Sequence, residues 1–534
     1  MIKNFQSNEF SARGFLHRLR SAAMVVTGLF AAHHASAQLF SPGNLLVSRS
    51  VYAGNDSLVT IGQALPGGGN ATANGNYTTV WNNETPDPSF GITSPIFLDQ
   101  LAPNGTFINS LAINTSQLVT SFPSKSELGL SVSSDGTAVT FMGYVAPVNT
   151  LDVSNSNTPG HVDPTNPVAL TYQRAVGEID ANGNLLVTPV NTYSGNNGRT
   201  AVLAANVNGS GQSNYYMVGN AGNGAGTEPV NIVNNTGLQM TPRLGGANAT
   251  VVGVQQGVAN ASNGFQFGYS VVQNSLPADK SGKDNNFRGL TLANNTLFAT
   301  KGSGSNGIDT VYQIGTAGTL PTAATAATTA ITVLPGFNST SAKTAISNAN
   351  PASNPFGLFF ANSTTLYVAD EGDAVLADLT NGNDPNAGLQ KWIFNGTVWN
   401  LAYTLKNGLN LGANYSVGNV SNLQTDGLRN ITGEVYANGT VSLFAVTAAI
   451  GGLNDPGANP NFLMGITDNL SANLSSEVSS EQFVTIDSAM AGEVLRGVSF
   501  TPSTAVPEPA TFALLMGAGV LGLAARRRMR PLRQ

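Results

Sequence analysis

The chain has 534 residues, no cysteine and only 10% charged residues, far below the roughly 25% of ordinary soluble domains. Without cysteine it has neither disulfides nor thiol chemistry. With the four basic residues and one acidic residue of the first 37 positions and the five arginines after position 525 set aside, 14 basic and 28 acidic residues remain. That is a net charge near −14, unfavourable for nucleic acid and anionic lipid, which need a basic patch, and compatible with neutral polymer or divalent cations.

Residues 1–37 read as a secretory signal peptide. Lys3, Arg13, Arg18 and Arg20 precede the apolar stretch SAAMVVTGLFAA, and Ala35-Ser36-Ala37 supplies the small-x-small cleavage site. Arg18 and Arg20 are not adjacent, so export through the Sec translocon with cleavage by signal peptidase is expected, rather than a twin-arginine route.

From residue 38 to 500, strand signals dominate and helix signals are nearly absent. The stretches 130–144, 290–300, 358–370 and 431–446 each place two β-rich runs around a turn. Asp135-Gly136, Asn182-Gly183 and Asn438-Gly439 are dipeptides that accept the positive φ of tight hairpins. The units also recur at long range. FRGL, FGL, LRNI and LRGV put Gly289, Gly357, Asn430 and Gly497 about 68, 73 and 67 residues apart. LGLSV and TAVLA are weaker copies, with Gly129 and Ala201 about 72 apart.

A period near 70 residues with about four strands per unit predicts an all-β fold, a β-propeller with long inter-strand loops. Starts near 46, 129, 201, 250, 289, 357 and 430 predict seven blades, with LRGVSF at 495–500 returning to close the ring. A parallel β-helix would repeat every 20–30 residues or so, a rhythm this chain lacks, and two β-sandwiches are the other rival. LYVADEGD at 366–373 followed by LQKWIF at 389–394 resembles strands of NHL-like and related propellers. The Ala/Thr/Ser-rich stretch 315–353 reads as an inserted loop or an irregular blade edge, since the repeat resumes after it.

Few residues in this body suggest chemistry. His161 is the one histidine left after the signal peptide, and it lies in the Pro-rich loop TPGHVDPTNP with no nucleophile elbow beside it. Asp370, Glu371 and Asp373 follow a strand in VADEGD, where three carboxylates can serve a hard cation such as calcium or simply form a solvated turn. No other cofactor is expected. Asp384 and Asp455 read as turn residues, and Trp81, Trp392 and Trp399 as core rather than a sugar-stacking surface.

A short linker with the Pro-Glu-Pro motif, 501–509, leads to an unbroken apolar run. Residues 510–525 predict a short transmembrane helix, roughly 22–24 Å long. Arg526, Arg527, Arg528 and Arg530 follow within a basic tail, 526–534, which predicts a cytoplasmic C-terminus and a body outside the membrane. Pro507, Glu508 and Pro509, then the apolar run, then Arg526, Arg527 and Arg528, resemble the PEP-CTERM sorting signal of exported bacterial proteins. The resemblance implies processing by an exosortase-type membrane protease, transient anchoring in the inner membrane, and release to the cell surface or extracellular matrix.

The function expected is that of a non-catalytic surface or matrix scaffold, with exopolysaccharide as its partner. Two alternatives stay open at this point, a propeller-type hydrolase or lactonase-like enzyme with a calcium site, and a surface module for a small ligand or cation. Three or more carboxylates within about 6 Å of one another around the channel axis would favour the enzyme, whereas the scaffold predicts an axis lined by backbone and small polar groups with no strongly shifted titrating cluster.

Overall fold

Short runs of Val, Ile, Leu, Tyr and Phe, cut every few residues by Gly and Asn, fold here as antiparallel strands joined by tight turns. Asn294 and Asn295 show the mechanism, both taking positive φ (48° and 54°) between Leu290–Ala293 and Thr296–Lys301. The computed structural model describes residues 38–504 apart from 53–61, 67–69, 71, 74–79, 82–91, 125, 223–229, 234, 255–257, 261–264, 268–283, 305, 343–352, 382–383 and 453–455.

Six sheets of four or five strands form a propeller-like ring. The first blade runs outward from Glu493–Phe500 through Leu45–Val51 and Ile96–Leu101 to Phe107–Ala112. The second runs from Ser131–Val132 through Ala138–Val145 and Gln173–Asp180 to Leu185–Val190. Gly198–Ala204, Leu290–Ala293 and Pro355–Asn362 are the innermost strands of the third, fourth and fifth. In the sixth, the second half of Val420–Val435 is innermost, while its first half pairs with Asn414–Val417. The six inner strands touch in succession, and the sixth meets the first. The C-terminal strand therefore closes the ring, pairing antiparallel with Leu45–Val51 from Leu45↔Phe500 to Val51↔Glu493.

The blade count corrects the expected seven. Thr250–Val251 is the outer strand of the third blade, and Leu45–Val51 is the second strand of the first blade rather than its start. Both were strand signals, the one near 250 already out of step with the period of about 70 residues, and neither lies on the axis. Within 315–353, Ile331–Val333 forms the outer strand of the fourth blade after a one-turn helix, Ala326–Thr328, so the described part of that stretch is an irregular blade edge.

The cores lie between neighbouring sheet faces. Leu238, Tyr216, Leu297 and Tyr312 pack between the third and fourth blades, and Tyr367, Leu389, Leu443 and Ile466 between the fifth and sixth. Each such side chain contributes about 1.5–3 kcal/mol through burial. The expected signal peptide, membrane segment and basic tail all lie outside the described residues. Among the described residues, no helix is long and apolar enough to cross a membrane.

Candidate functional site

The inner strands approach one another so closely that several of their junctions leave no room for a side chain. A Cβ on Gly289 would lie 2.0 Å from the Phe356 carbonyl oxygen, and one on Gly357 2.5 Å from that of Arg429. Gly497 meets the Leu128 carbonyl at 2.4 Å and Gly129 the Thr200 hydroxyl at 2.7 Å. The other two blades use side chains to make the same junction. The Thr200 hydroxyl donates to the Arg288 carbonyl (3.4 Å), and Asn430 Oδ1 accepts the Val498 N–H (2.7 Å). The axis is thus constricted by a ring of backbone and short polar side-chain contacts. Glycine is used here for close approach, since none of these four has a positive φ.

The residue just before each constriction point is Leu128, Arg199, Arg288, Phe356, Arg429 or Arg496. Four arginines therefore occupy equivalent places at one end of the axis, each at most 8% exposed. Arg199 Nη1 donates to the Phe287 carbonyl (2.5 Å), tying the third blade to the fourth. Arg288 reaches from the fourth blade to the Ser126 hydroxyl ahead of the second, and its Nε donates to Ser303 (2.8 Å). Arg429 Nε forms an ion pair with Glu371 (3.0 Å), and Arg496 donates to the carbonyls of Phe122 and Gly457. Guanidinium groups suit this task because one planar fork can serve several acceptors at once.

Carboxyls crowd the same end. Asp309 pairs with the wholly buried Lys301, and burial holds its carboxyl above the ordinary range. Asp426 is pushed up to about 8 by burial and by the charge of Glu371. On the other side of the constriction the axis holds a cavity of about 150 Å³, lined by Ser131, Val202, Thr291, Phe359, Thr432 and Ser499 among others.

The three acids of VADEGD are each engaged separately. Asp370, fully buried and pushed up to about 7 by burial and by Asp384, accepts from Ser353, Gln390 and the N–H groups of Asn354 and Gly372. Glu371 pairs with Arg429, and Asp373 accepts the Val375 N–H (2.8 Å). Among the described residues, no group of three or more Asp, Glu or His is placed to hold a metal ion. His161 sits in its loop against the Asn231 carbonyl (3.1 Å). Trp399 is buried in the core and Trp392, half-buried, packs against the same cluster and stacks on Phe337 at 3.9 Å, while the Trp81 side chain lies outside the described residues. Asp384 accepts the N–H groups of Asn386 and Ala387, a turn use as expected, whereas Asp455 lies outside the described residues.

Three of the four arginines lie inside the repeat motifs FRGL, LRNI and LRGV, where Gly or Asn served as the marker, and Arg199 just precedes TAVLA; their joint placement was missed. The signal was there: once NGRT, FRGL, LRNI and LRGV are aligned on the constriction, Arg falls one position before it in all four. The sorting residues Pro507, Glu508, Pro509, Arg526, Arg527 and Arg528 lie outside the described residues.

None of the curated proteins matches the chain. Among solved structures it is similar to the hemagglutinin-neuraminidase ectodomain of parainfluenza virus 5, with 10% identity, a TM-score of 0.34, and coverage of 83% of this chain and 94% of that one. It is also similar to a variant of Synechocystis apocarotenoid oxygenase, with 7% identity, a TM-score of 0.35, and coverage of 87% and 94%. A third likeness is to a glycoside hydrolase family 43 arabinoxylan arabinofuranohydrolase from Bacillus subtilis, with 10% identity, a TM-score of 0.29, and coverage of 87% and 91%. Likenesses this weak say nothing about activity. The C-terminus is more specific: residues 505–528 match the PEP-CTERM protein-sorting motif, so the chain carries a signal that implies an exported protein sorted by an exosortase.

Proposed function

We propose that the protein is a non-catalytic β scaffold, delivered by its PEP-CTERM signal to the cell surface or extracellular matrix, where it contacts exopolysaccharide. The observation that carries this reading is the sorting motif at 505–528. In this reading residues 510–525 anchor the chain briefly in the inner membrane with Arg526, Arg527 and Arg528 on the cytoplasmic side. The exosortase then cuts near Pro507-Glu508-Pro509.

The axial acids Asp309, Glu371 and Asp426 are the carboxylate gathering an enzyme would show, but Asp309 is paired with Lys301 and Glu371 with Arg429. Two further features of the axis support a scaffold rather than an enzyme. The arginines at one end are turned to carbonyls, hydroxyls and a carboxylate of the protein itself. The cavity at the other, about 150 Å³, is smaller than the roughly 300–1,000 Å³ of most ligand sites. Loops rich in Asn, Thr and Ser offer the amide and hydroxyl groups that pair with sugar hydroxyls.

Mass spectrometry of the extracellular protein is the test. The expected product starts after residue 37, ends near Pro509, and releases no reducing ends from exopolysaccharide while co-sedimenting with it. Glu508→Ala should leave the tail uncut and the protein in the membrane fraction. Recovery of the intact chain from the cytosol, or steady release of sugar, would overturn the proposal.

A further inference from the structure

The fifth and sixth blades meet at a polar site that the axis does not involve. Lys391, on Gly388–Phe394, and Asp468, on Phe462–Asn469, are both completely buried, with Nζ 2.9 Å from Oδ2. The carbonyls of Asn469 (2.7 Å) and Ala472 (3.0 Å) hold the lysine nitrogen against the carboxyl. Tyr403 donates to Asp468 Oδ1 (2.7 Å), Tyr367 donates to Oδ2, and the two rings lie 5.2 and 5.8 Å from the nitrogen. A second carboxyl, Glu481, stands near enough to Asp468 to feel its charge. Its Oε1 accepts the Asn469 N–H (3.1 Å), and its Oε2 is buried without a donor.

We propose that Lys391 and Asp468 join in an intramolecular isopeptide bond, with Glu481 as the proton carrier. An amine and a carboxyl fixed at contact distance have already met the orientational cost of a bimolecular reaction. A dry site weakens the preference for separated charges that keeps such pairs ionic in water. The ammonium proton passes from Nζ to the Asp468 carboxylate, leaving a neutral amine and a neutral acid. The Nζ lone pair then attacks Cγ, and negative charge develops on Oδ1, where the Tyr403 hydroxyl already donates. Glu481 removes a second proton from Nζ and delivers it to Oδ2, the C–O bond breaks and water leaves. The products are one amide and one water, so no oxidant or energy source is needed. Burial and the neighbouring Asp468 carboxyl push Glu481 up to about 7, where it can both take and give a proton. The bond would span 77 positions of sequence and supply a covalent staple between blades in a chain that has no cysteine.

A peptide mass map of the denatured, purified full chain decides the matter. The peptides bearing Lys391 and Asp468 should travel as one branched species, lighter by one water than their sum and resistant to boiling and reductant. Separate peptides at full mass would overturn the proposal and leave a buried ion pair. Asp468→Asn should still link, now losing ammonia instead of water. Glu481→Gln should keep its fold by circular dichroism and lose the link. An undiminished yield of linked peptide in that variant would remove Glu481 from the step, and the wild-type map stands whether or not either variant folds.

Discussion

Asp426 shows how the axial cluster sets the behaviour of a single side chain. One of its oxygens accepts the Ala374 N–H (3.0 Å), the other is buried without a donor, and Glu371 stands close enough to repel its charge. Its carboxyl is pushed from an ordinary 3.8 up to about 8. Between those values the folded chain keeps a proton that the unfolded chain has released. Stability therefore falls as pH rises from about 4 to 8 and levels off above that. Asp370, raised to about 7 by burial and Asp384, adds to the same slope. Asp426→Asn removes the charge and keeps the shape. Thermal melts should show it more stable than wild type at pH 8.5, by on the order of 1–3 kcal/mol, and nearly equal at pH 4.5. Equal gains at both pH values would mean that Asp426 is not protonated in the folded chain. None of this was legible in VADEGD or LQTDGLRN, because burial comes from neighbouring blades far away in sequence.

At the scale of strands, most of the repeat was readable because one physical demand recurs at every blade. The inner strand must pass its neighbour at the constriction, so a Gly, Thr or Asn returns about every 70 residues, except for the longer step of 89 from Thr200 to Gly289, with a β-rich run behind it. The blade number was not readable, since an outer strand such as Thr250–Val251 has the same local pattern as an inner one. Two glycines separate the demand from mere tolerance. Gly289→Ala would place a Cβ 2.0 Å from the Phe356 carbonyl and force the fourth and fifth blades apart. A loss of about 1–3 kcal/mol or more is expected in denaturant melts, as for other overpacked sites. A Cβ on Gly246 would meet nothing within 4 Å, and the backbone there has no positive φ. Gly246→Ala should therefore be neutral or stabilising by up to about 1 kcal/mol. Similar losses at both positions would show that the ring is not held at the constriction.

For the whole molecule, the closing strand and the sorting motif stand next to each other in the chain. The strand that closes the ring, Glu493–Phe500, is the last of the described strands, and the sorting motif begins five residues later at 505. Thr501 then donates to the carbonyls of Asn44 and Ser41, and the Ser503 N–H to that of Gly136, so the chain stays fastened almost to the start of the motif. Cutting near Pro509 would leave every one of these contacts in place. A chain ending at residue 504 should thus melt within about 1 °C of the full-length protein, since no described contact is removed. A chain ending at 492 loses Val494, Leu495 and Val498, each buried and each contributing about 1.5–3 kcal/mol. It also leaves Leu45–Val51 as an open edge at the axis, a template for pairing with other chains. The sum is comparable to the roughly 5–15 kcal/mol of net stability in a typical domain, so this shorter chain should aggregate or stay unfolded. If instead it melts cooperatively as a monomer, the ring does not depend on its C-terminal strand, and tail removal and fold integrity are unrelated.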